Sequence, residues 1–131
     1  MAILDDVLAE MVTGLRPNLA STGLRRQRGG IARGVAWAEA SGRGPDDSWL
    51  ELRLHHRPAD RRLDAGLLAY VPVTRGGRTQ VIGERTLEYA LDAREMSGVL
   101  QDEVAGWLRV AGERRAPAPD PEDAMVSLLQ A

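Results

Sequence analysis

The chain of 131 residues has no cysteine and no phenylalanine, and its 17 basic residues include no lysine. Without cysteine, the chain can form neither a disulfide nor a thiolate metal site. Without lysine, it has no P-loop lysine, no Schiff-base amine and no amine general base. These absences exclude several common enzyme chemistries before any motif is considered.

Long apolar runs are also missing from the sequence. No stretch approaches the roughly 20 residues that a membrane-spanning helix needs. Near the start of the chain, Asp5 and Asp6 occupy the region in which a secretory signal peptide carries positive charge. We therefore expect a cytoplasmic protein that has no membrane partner.

What is present is the composition of a folded domain, with 44% hydrophobic and 27% charged residues. The length suits one domain and is too short for two independent cores. The net charge of −2 is uneven, being −3 over residues 1–15, +5 over residues 16–62 and −4 over residues 63–131. A basic middle indicates either an anionic partner or charges that meet across the fold.

The spacing of apolar residues predicts an amphipathic helix at the start of the chain. From Ile3 to Leu15, apolar side chains recur every three or four residues. Gly14 and Pro17 indicate the end of this helix, because neither residue favours a helix interior. We expect residues 17–30 to be mostly loop.

A second amphipathic helix is predicted after Asp92, which is a suitable N-cap. Glu95 stands three residues later and completes a capping box. An apolar stripe then continues from Met96 to Ala111, and Gly112 follows where a C-terminal cap is expected.

Four strand candidates lie between the two helices. They cover residues 30–40, 49–56, 67–74 and 79–91. The second is the clearest, because leucine alternates with polar or aromatic residues throughout "WLELRLHH". The pair Gly76-Gly77 predicts a tight hairpin before the fourth candidate, and Gly83 predicts a β-bulge within it.

Alternation within the first and fourth candidates also predicts which side chains share a face of the sheet. In the first candidate, one face carries Ile31, Val35 and Trp37. In the fourth, one face carries Val81, Leu87, Tyr89 and Leu91. Short connections between successive strands favour an antiparallel meander.

The sequence therefore predicts a two-layer α+β fold. It comprises an N-terminal amphipathic helix, a four-stranded antiparallel β-meander and a C-terminal amphipathic helix. Residues 1–112 form the domain, residues 113–120 a spacer rich in proline and alanine, and residues 121–131 a short amphipathic docking segment.

The docking segment has the features of a helix start. Asp120 is a suitable N-cap and Pro121 a favoured first helical residue. Met125, Leu128 and Leu129 follow at the spacing of one apolar helix face. Because so short a helix is unstable alone in water, we expect it to dock either on its own domain or on another protein.

Catalytic and metal-binding patterns are weak in this sequence. His55 and His56 are adjacent on a predicted strand, so their side chains point to opposite faces and cannot chelate one ion. The "GRGPDD" segment lacks the rest of a nucleotide-binding motif, and no G-x-S-x-G elbow is present. We assign no catalytic, cofactor-binding or metal-binding residue and expect no cofactor.

Arginine residues of the basic middle are candidates for binding an anion. They are Arg25, Arg26, Arg28, Arg57, Arg61 and Arg62. If these side chains converge, they can bind phosphate, which makes nucleic-acid binding a second alternative function. Aromatic residues for base stacking are only 4% of the chain, which favours a solvated face paired with acids.

Trp49 has the opposite alternation to the leucines of its strand and therefore lies on the other sheet face. With Tyr70, it forms a candidate aromatic patch for a partner. We expect a non-catalytic binding or assembly protein (an adaptor, a chaperone-like protein or a structural subunit), whose partner is another protein or a second copy. The alternative is a ligand-binding protein or enzyme with a pocket near Arg53, His55 and Tyr70.

Overall fold

The computed structural model describes residues 5–43, 48–72, 74 and 76–115. The elements in this part of the chain are α1 (Asp6–Ser21), β1 (Arg26–Ala32), β2 (Val35–Arg43), β3 (Trp49–Arg57), β4 (Arg62–Val71), β5 (Arg78–Glu88) and α2 (Ala93–Arg115). All neighbouring strands pair antiparallel, in the order β1-β2-β3-β4-β5. The α+β class and the antiparallel meander are confirmed, but the described sheet has five strands instead of the predicted four.

The additional strand arises because residues 30–40, predicted as one strand, contain a hairpin. Arg33 and Gly34 both have positive φ, at 52° and 76°, and form the two-residue turn between β1 and β2. Such turns suit the twist of a hairpin but usually carry Asn-Gly or Asp-Gly, so an Arg-Gly pair is a weak sequence signal. The turn places Ile31 on the opposite sheet face from Val35 and Trp37, so the predicted shared face is wrong.

The first helix is longer than predicted, and the loop expected over residues 17–30 is mostly absent. α1 continues through Pro17 to Ser21, and β1 begins at Arg26. Proline inside a helix costs about 3 kcal/mol. Leu19 and Leu24, which are 2% and 1% exposed, bury enough apolar surface to offset that cost.

The pairing of β4 with β5 contains an irregularity at the glycine where a bulge was predicted. The register shifts between Leu67, which lies opposite Gly83, and Leu68, which lies opposite Val81. The shift changes the alternation of β5, so Val81 is exposed while Leu87 packs against the core. Leu91 is 93% exposed. The prediction that Val81, Leu87 and Leu91 share one sheet face is therefore wrong.

Several element ends also differ from prediction. β2 continues to Arg43 instead of residue 40, β4 ends at Val71 instead of residue 74, and β5 ends at Glu88 instead of residue 91. β4 begins at Arg62, five residues before the predicted strand. α2 passes Gly112 and continues to Arg115. The remainder of the predicted spacer and the terminal docking segment lie outside the described residues.

Both helices pack on one face of the sheet, which we call the inner face. α1 contacts β2 and β3, α2 contacts β4 and β5, and the helices contact each other. The core consists mainly of leucine and alanine from alternate strand positions, including Leu50, Leu52, Leu54, Leu63 and Leu67. No described element covers the opposite face, which we call the outer face. Neither helix, over the stretch described, has the length and apolar character of a membrane span.

Candidate functional site

The outer face is composed of the strand residues that alternate with the core. In β3, three leucines point inward, whereas Trp49, Glu51, Arg53 and His55 point outward, as predicted. Cross-strand partners of these residues continue the same face over the whole sheet. These outward side chains are therefore held on strands instead of loops.

Four apolar side chains adjoin one another on this face. Trp49 pairs directly with Tyr70, and Leu68 pairs directly with Val81. Leu68 and Tyr70 are two residues apart on β4 and so point the same way. Trp49 is 37% exposed and Val81 is 54% exposed. We call Trp49, Leu68, Tyr70 and Val81 the outer-face patch.

The sequence predicted only the two aromatic members of the outer-face patch. Val81 was predicted to share a face with Leu87, but the bulge at Gly83 reverses the alternation of β5 and turns Val81 outward. Leu68 lies beside Leu67 in an apolar run, in which periodicity alone does not show which residue faces outward. If the predicted strand had begun at Arg62, as β4 does, its alternation would have shown that Leu67 faces the core and Leu68 faces outward.

A closed triangle of hydrogen bonds borders the patch. Arg53 donates to Glu51 Oε2 from Nη2 at 2.9 Å and from Nε at 3.2 Å. Arg53 Nη2 also donates to the Tyr70 hydroxyl at 2.8 Å, and that hydroxyl donates to Glu51 Oε2 at 2.9 Å. Glu51, Arg53 and Tyr70 therefore satisfy one another's hydrogen-bonding groups. These bonds hold the Tyr70 ring in place through outer-face residues alone.

The same contacts shift two pKa values within the triangle. Burial raises the pKa of the Tyr70 phenol, and the hydrogen bond to Glu51 raises it further. Partial burial by itself would lower the pKa of Arg53, but the charge and hydrogen bond of Glu51, together with the charges of Tyr70 and Glu39, raise it overall. Arg53 therefore stays a cation that is already paired.

A shallow depression of about 200 Å³ lies next to the patch, above Gly66. Its walls include Arg53, His55, Leu68 and Val81. This overlaps the predicted pocket near Arg53, His55 and Tyr70, although Tyr70 is not part of its lining. Ligand pockets usually enclose roughly 300 Å³ or more. The depression is of a size to accept one side chain of a partner.

The two adjacent histidines point to opposite faces, as predicted. His55 is half-buried on the outer face opposite Asp64, and burial lowers the pKa of its ring despite that neighbouring charge. His56 is 5% exposed on the inner face. Among the residues that the structure describes, no group of three or more acidic or histidine side chains is arranged to hold a metal ion.

His56 belongs to a buried chain of hydrogen bonds that the sequence did not predict. Its Nδ1 lies 2.9 Å from Asp5 Oδ2, and its Nε2 lies 2.8 Å from the Tyr89 hydroxyl. Asp5 Oδ1 also accepts a hydrogen bond from the Leu8 amide and so caps α1. Because each group is satisfied by the others, this chain fixes the start of α1 to β3 and to the segment after β5.

The candidate anion-binding arginines form two separate groups. Arg26 pairs with Ser41 near the end of β2, whereas Arg57 and Arg62 lie at the turn between β3 and β4. Arg28 forms an ion pair with Glu39 at 2.8 Å. This separation offers no single phosphate site.

The second group is engaged in contacts with the protein itself. Arg57 and Arg62 both approach Asp64 to 3.5 Å. Arg61 donates from Nη1 to the Ala90 carbonyl at 2.6 Å, where it joins the β3–β4 turn to the segment before α2. These contacts favour the interpretation that charges of the basic middle meet acids across the fold.

The third outward aromatic residue, Trp37, lies apart from the outer-face patch. A Cβ built on Gly30 would lie 3.4 Å from the Trp37 indole nitrogen, so the ring covers the glycine of the neighbouring edge strand. The predicted anchor residues Met125, Leu128 and Leu129 lie outside the described residues.

The functional interpretation depends on this geometry alone. Comparisons of the chain with protein-family models, with curated protein sequences and with solved structures found no match.

Proposed function

We propose that this chain is a non-catalytic protein-binding or assembly protein, such as an adaptor, a chaperone-like protein or a structural subunit. It acts through the outer face of its sheet and through a C-terminal anchor formed by Met125, Leu128 and Leu129. Its partner is another protein or a second copy of the chain.

The observation that supports this proposal is the outer-face patch on a sheet face that no described element covers. Tryptophan and tyrosine are enriched among residues that dominate protein interfaces. The patch has an apolar centre, and the hydrogen-bonded triangle of Glu51, Arg53 and Tyr70 lies at its border. An apolar centre with a polar border is typical of protein interfaces.

The extent of the outer face also suits a protein partner. Five strands about 4.8 Å apart, each about nine residues long, present roughly 700 Å². A standard interface buries about 800 Å² on each partner. The face and a few flanking residues therefore supply enough surface for a specific complex.

The depression above Gly66 also allows a small-ligand function. Its polar walls include Arg53 and His55, but Arg53 is already bonded to Glu51 and Tyr70. A ligand would have to replace those bonds in an open and shallow site. Protein binding uses the same depression without that cost, so we favour it.

The test is photo-crosslinking from a defined position on each face. A photo-reactive amino acid replaces Val81 on the outer face or, as the control, Val110 on α2, which is 43% exposed. We expect a discrete intermolecular adduct from position 81, and we expect Leu68→Arg to reduce its yield. Equal adducts from both positions would contradict the proposal.

A further inference from the structure

The end of α2 lies beside the end of the sheet that carries the outer-face patch. A Cβ built on Gly112, in the last turns of α2, would lie 3.4 Å from Thr22 Cγ2. Gly23 follows Thr22 in the chain, and its carbonyl lies against Gly42. The residue after Gly42 pairs with Trp49. Thus the chain leaves α2 near the aromatic end of the patch, one layer away from it.

The residues that follow α2 have the reach to pass from the inner face to the outer face. Residues 116–120 read "APAPD", and alternating proline favours an extended backbone of about 3.1 Å per residue. Five such residues span about 15 Å, and a helix layer is about 10 Å thick. The docking segment, residues 121–131, therefore begins within reach of the patch.

The chemistry of the docking segment matches that of the patch. Met125, Leu128 and Leu129 have the sequence spacing of one apolar helix face, and so short a helix needs an apolar surface to be stable. The outer-face patch offers such a surface at Val81, which is 54% exposed and lines the depression above Gly66. Inserting a leucine or methionine there buries apolar surface on both sides.

The charges at the start of the docking segment and beside the outer-face patch are also complementary. The segment begins with Asp120, Glu122 and Asp123. The exposed residue Arg43 lies directly opposite Trp49 in the pairing of β2 with β3, at the end of the sheet nearest α2. The acidic start of the segment would meet this cation as its apolar face reaches the patch.

From these observations we propose that residues 121–131 dock on the outer-face patch of their own chain and cover it until a protein partner displaces them. This rests on the proposed function, because it takes the patch to be a docking surface. A short tether gives the segment an effective concentration in the millimolar range, so docking within one chain exceeds exchange between chains at micromolar protein.

Photo-crosslinking from position 81 separates this inference from the proposed function. In the variant Leu128→Asp/Leu129→Asp, the uncovered patch should give a higher yield of the intermolecular adduct. An unchanged yield would contradict the covering segment and leave the protein-binding function standing. If neither the parent chain nor the variant Leu128→Asp/Leu129→Asp gave an intermolecular adduct, the proposed protein-binding function itself would be contradicted.

The position of the segment is tested directly by disulfide trapping, because the chain has no cysteine of its own. The full chain carries Leu128→Cys with Val81→Cys on the outer face. The matched control carries Leu128→Cys with Val110→Cys, an exposed valine on α2 that is nearer to Leu128 along the chain. Thr79→Cys, opposite Tyr70, is a second outer-face reporter in case Val81→Cys impairs folding.

We expect the pair at positions 81 and 128 to form an intramolecular disulfide at least about tenfold faster than the pair at 110 and 128. A segment that samples all directions would favour the control, because Val110 lies only about 7.5 Å along α2 from Arg115, where the tether begins. Equal or slower trapping at both outer-face positions would overturn the proposal. A predominantly intermolecular disulfide would overturn docking within one chain.

Discussion

On the inner face of the sheet, leucine and alanine side chains are almost fully buried beneath α1 and α2. On the outer face, the same strands carry arginine, glutamate, tryptophan and tyrosine, and Trp49 and Val81 remain substantially exposed. Burial under the helices explains the residue types of the inner face. It does not explain those of the outer face, so we propose that the outer face serves binding, whereas the inner face maintains the fold.

The largest expected difference is between two adjacent leucines of β4. Leu67 faces inward and is 0% exposed, whereas Leu68 belongs to the outer-face patch. Leu67→Ala should lower the free energy of unfolding by about 3 kcal/mol, because it removes buried surface and leaves a cavity. Leu68→Ala should cost less than about 1 kcal/mol. Urea unfolding of both variants checks this, and equal costs would contradict the assignment of the faces.

Two glycines give the next comparison. A Cβ on Gly83 would overlap the indole ring of Trp107, whereas a Cβ on Gly66 would come no closer than 4.0 Å, to the Gly83 carbonyl. Gly83→Ala should therefore destabilise the fold by about 2 kcal/mol. Gly66→Ala should change stability by no more than about 0.5 kcal/mol. If thermal unfolding shows no loss for Gly83→Ala, the close packing of α2 on β5 is wrong.

The two tyrosines extend the comparison to hydrogen bonds. Because a carboxylate only accepts, His56 Nδ1 donates to Asp5, and Nε2 is hydrogen-bonded to the Tyr89 hydroxyl. Tyr89→Phe leaves that buried nitrogen unpaired and should cost about 1–2 kcal/mol in chemical denaturation. Tyr70→Phe should cost less, because Arg53 and Glu51 remain paired without it. The reverse order of costs would argue against a structural role for His56.

The smallest expected effect is the pH dependence contributed by His55. Burial lowers the pKa of His55 in the folded state below its ordinary value of 6.5, so the unfolded chain binds the proton more readily. This contribution to stability is complete above the ordinary pKa and is lost as the pH falls towards the folded value. His55→Gln should therefore weaken the loss of stability on acidification. Unfolding measured at a series of pH values checks this, and identical slopes would contradict it.

Sequence periodicity was informative where one sheet face is covered along its full length. The alternation of β3 correctly predicted that Trp49 points away from the leucine core. β1 lies at the sheet edge, where Ile31 on the inner side is still 52% exposed, so its sequence shows no alternation. Its Arg33-Gly34 turn also lacks the usual turn residues.

The contacts of His56 illustrate what periodicity cannot supply. Its hydrogen-bond partners lie 51 residues before it and 33 residues after it. Alternation alone does place His56 on the same face as Leu54, and a buried polar group in a core requires a partner. The need for a partner was therefore predictable, but its identity depended on how α1 and the end of β5 meet across β3.

The most direct test of the division between a folding face and a binding face is the single variant Leu68→Arg, measured in two ways. We expect its free energy of unfolding to stay within about 1 kcal/mol of the parent protein. We expect the yield of the intermolecular adduct from the photo-reactive residue at position 81 to fall in the same variant. A large loss of stability, or an undiminished adduct, would contradict the claim that the outer face serves binding and not folding.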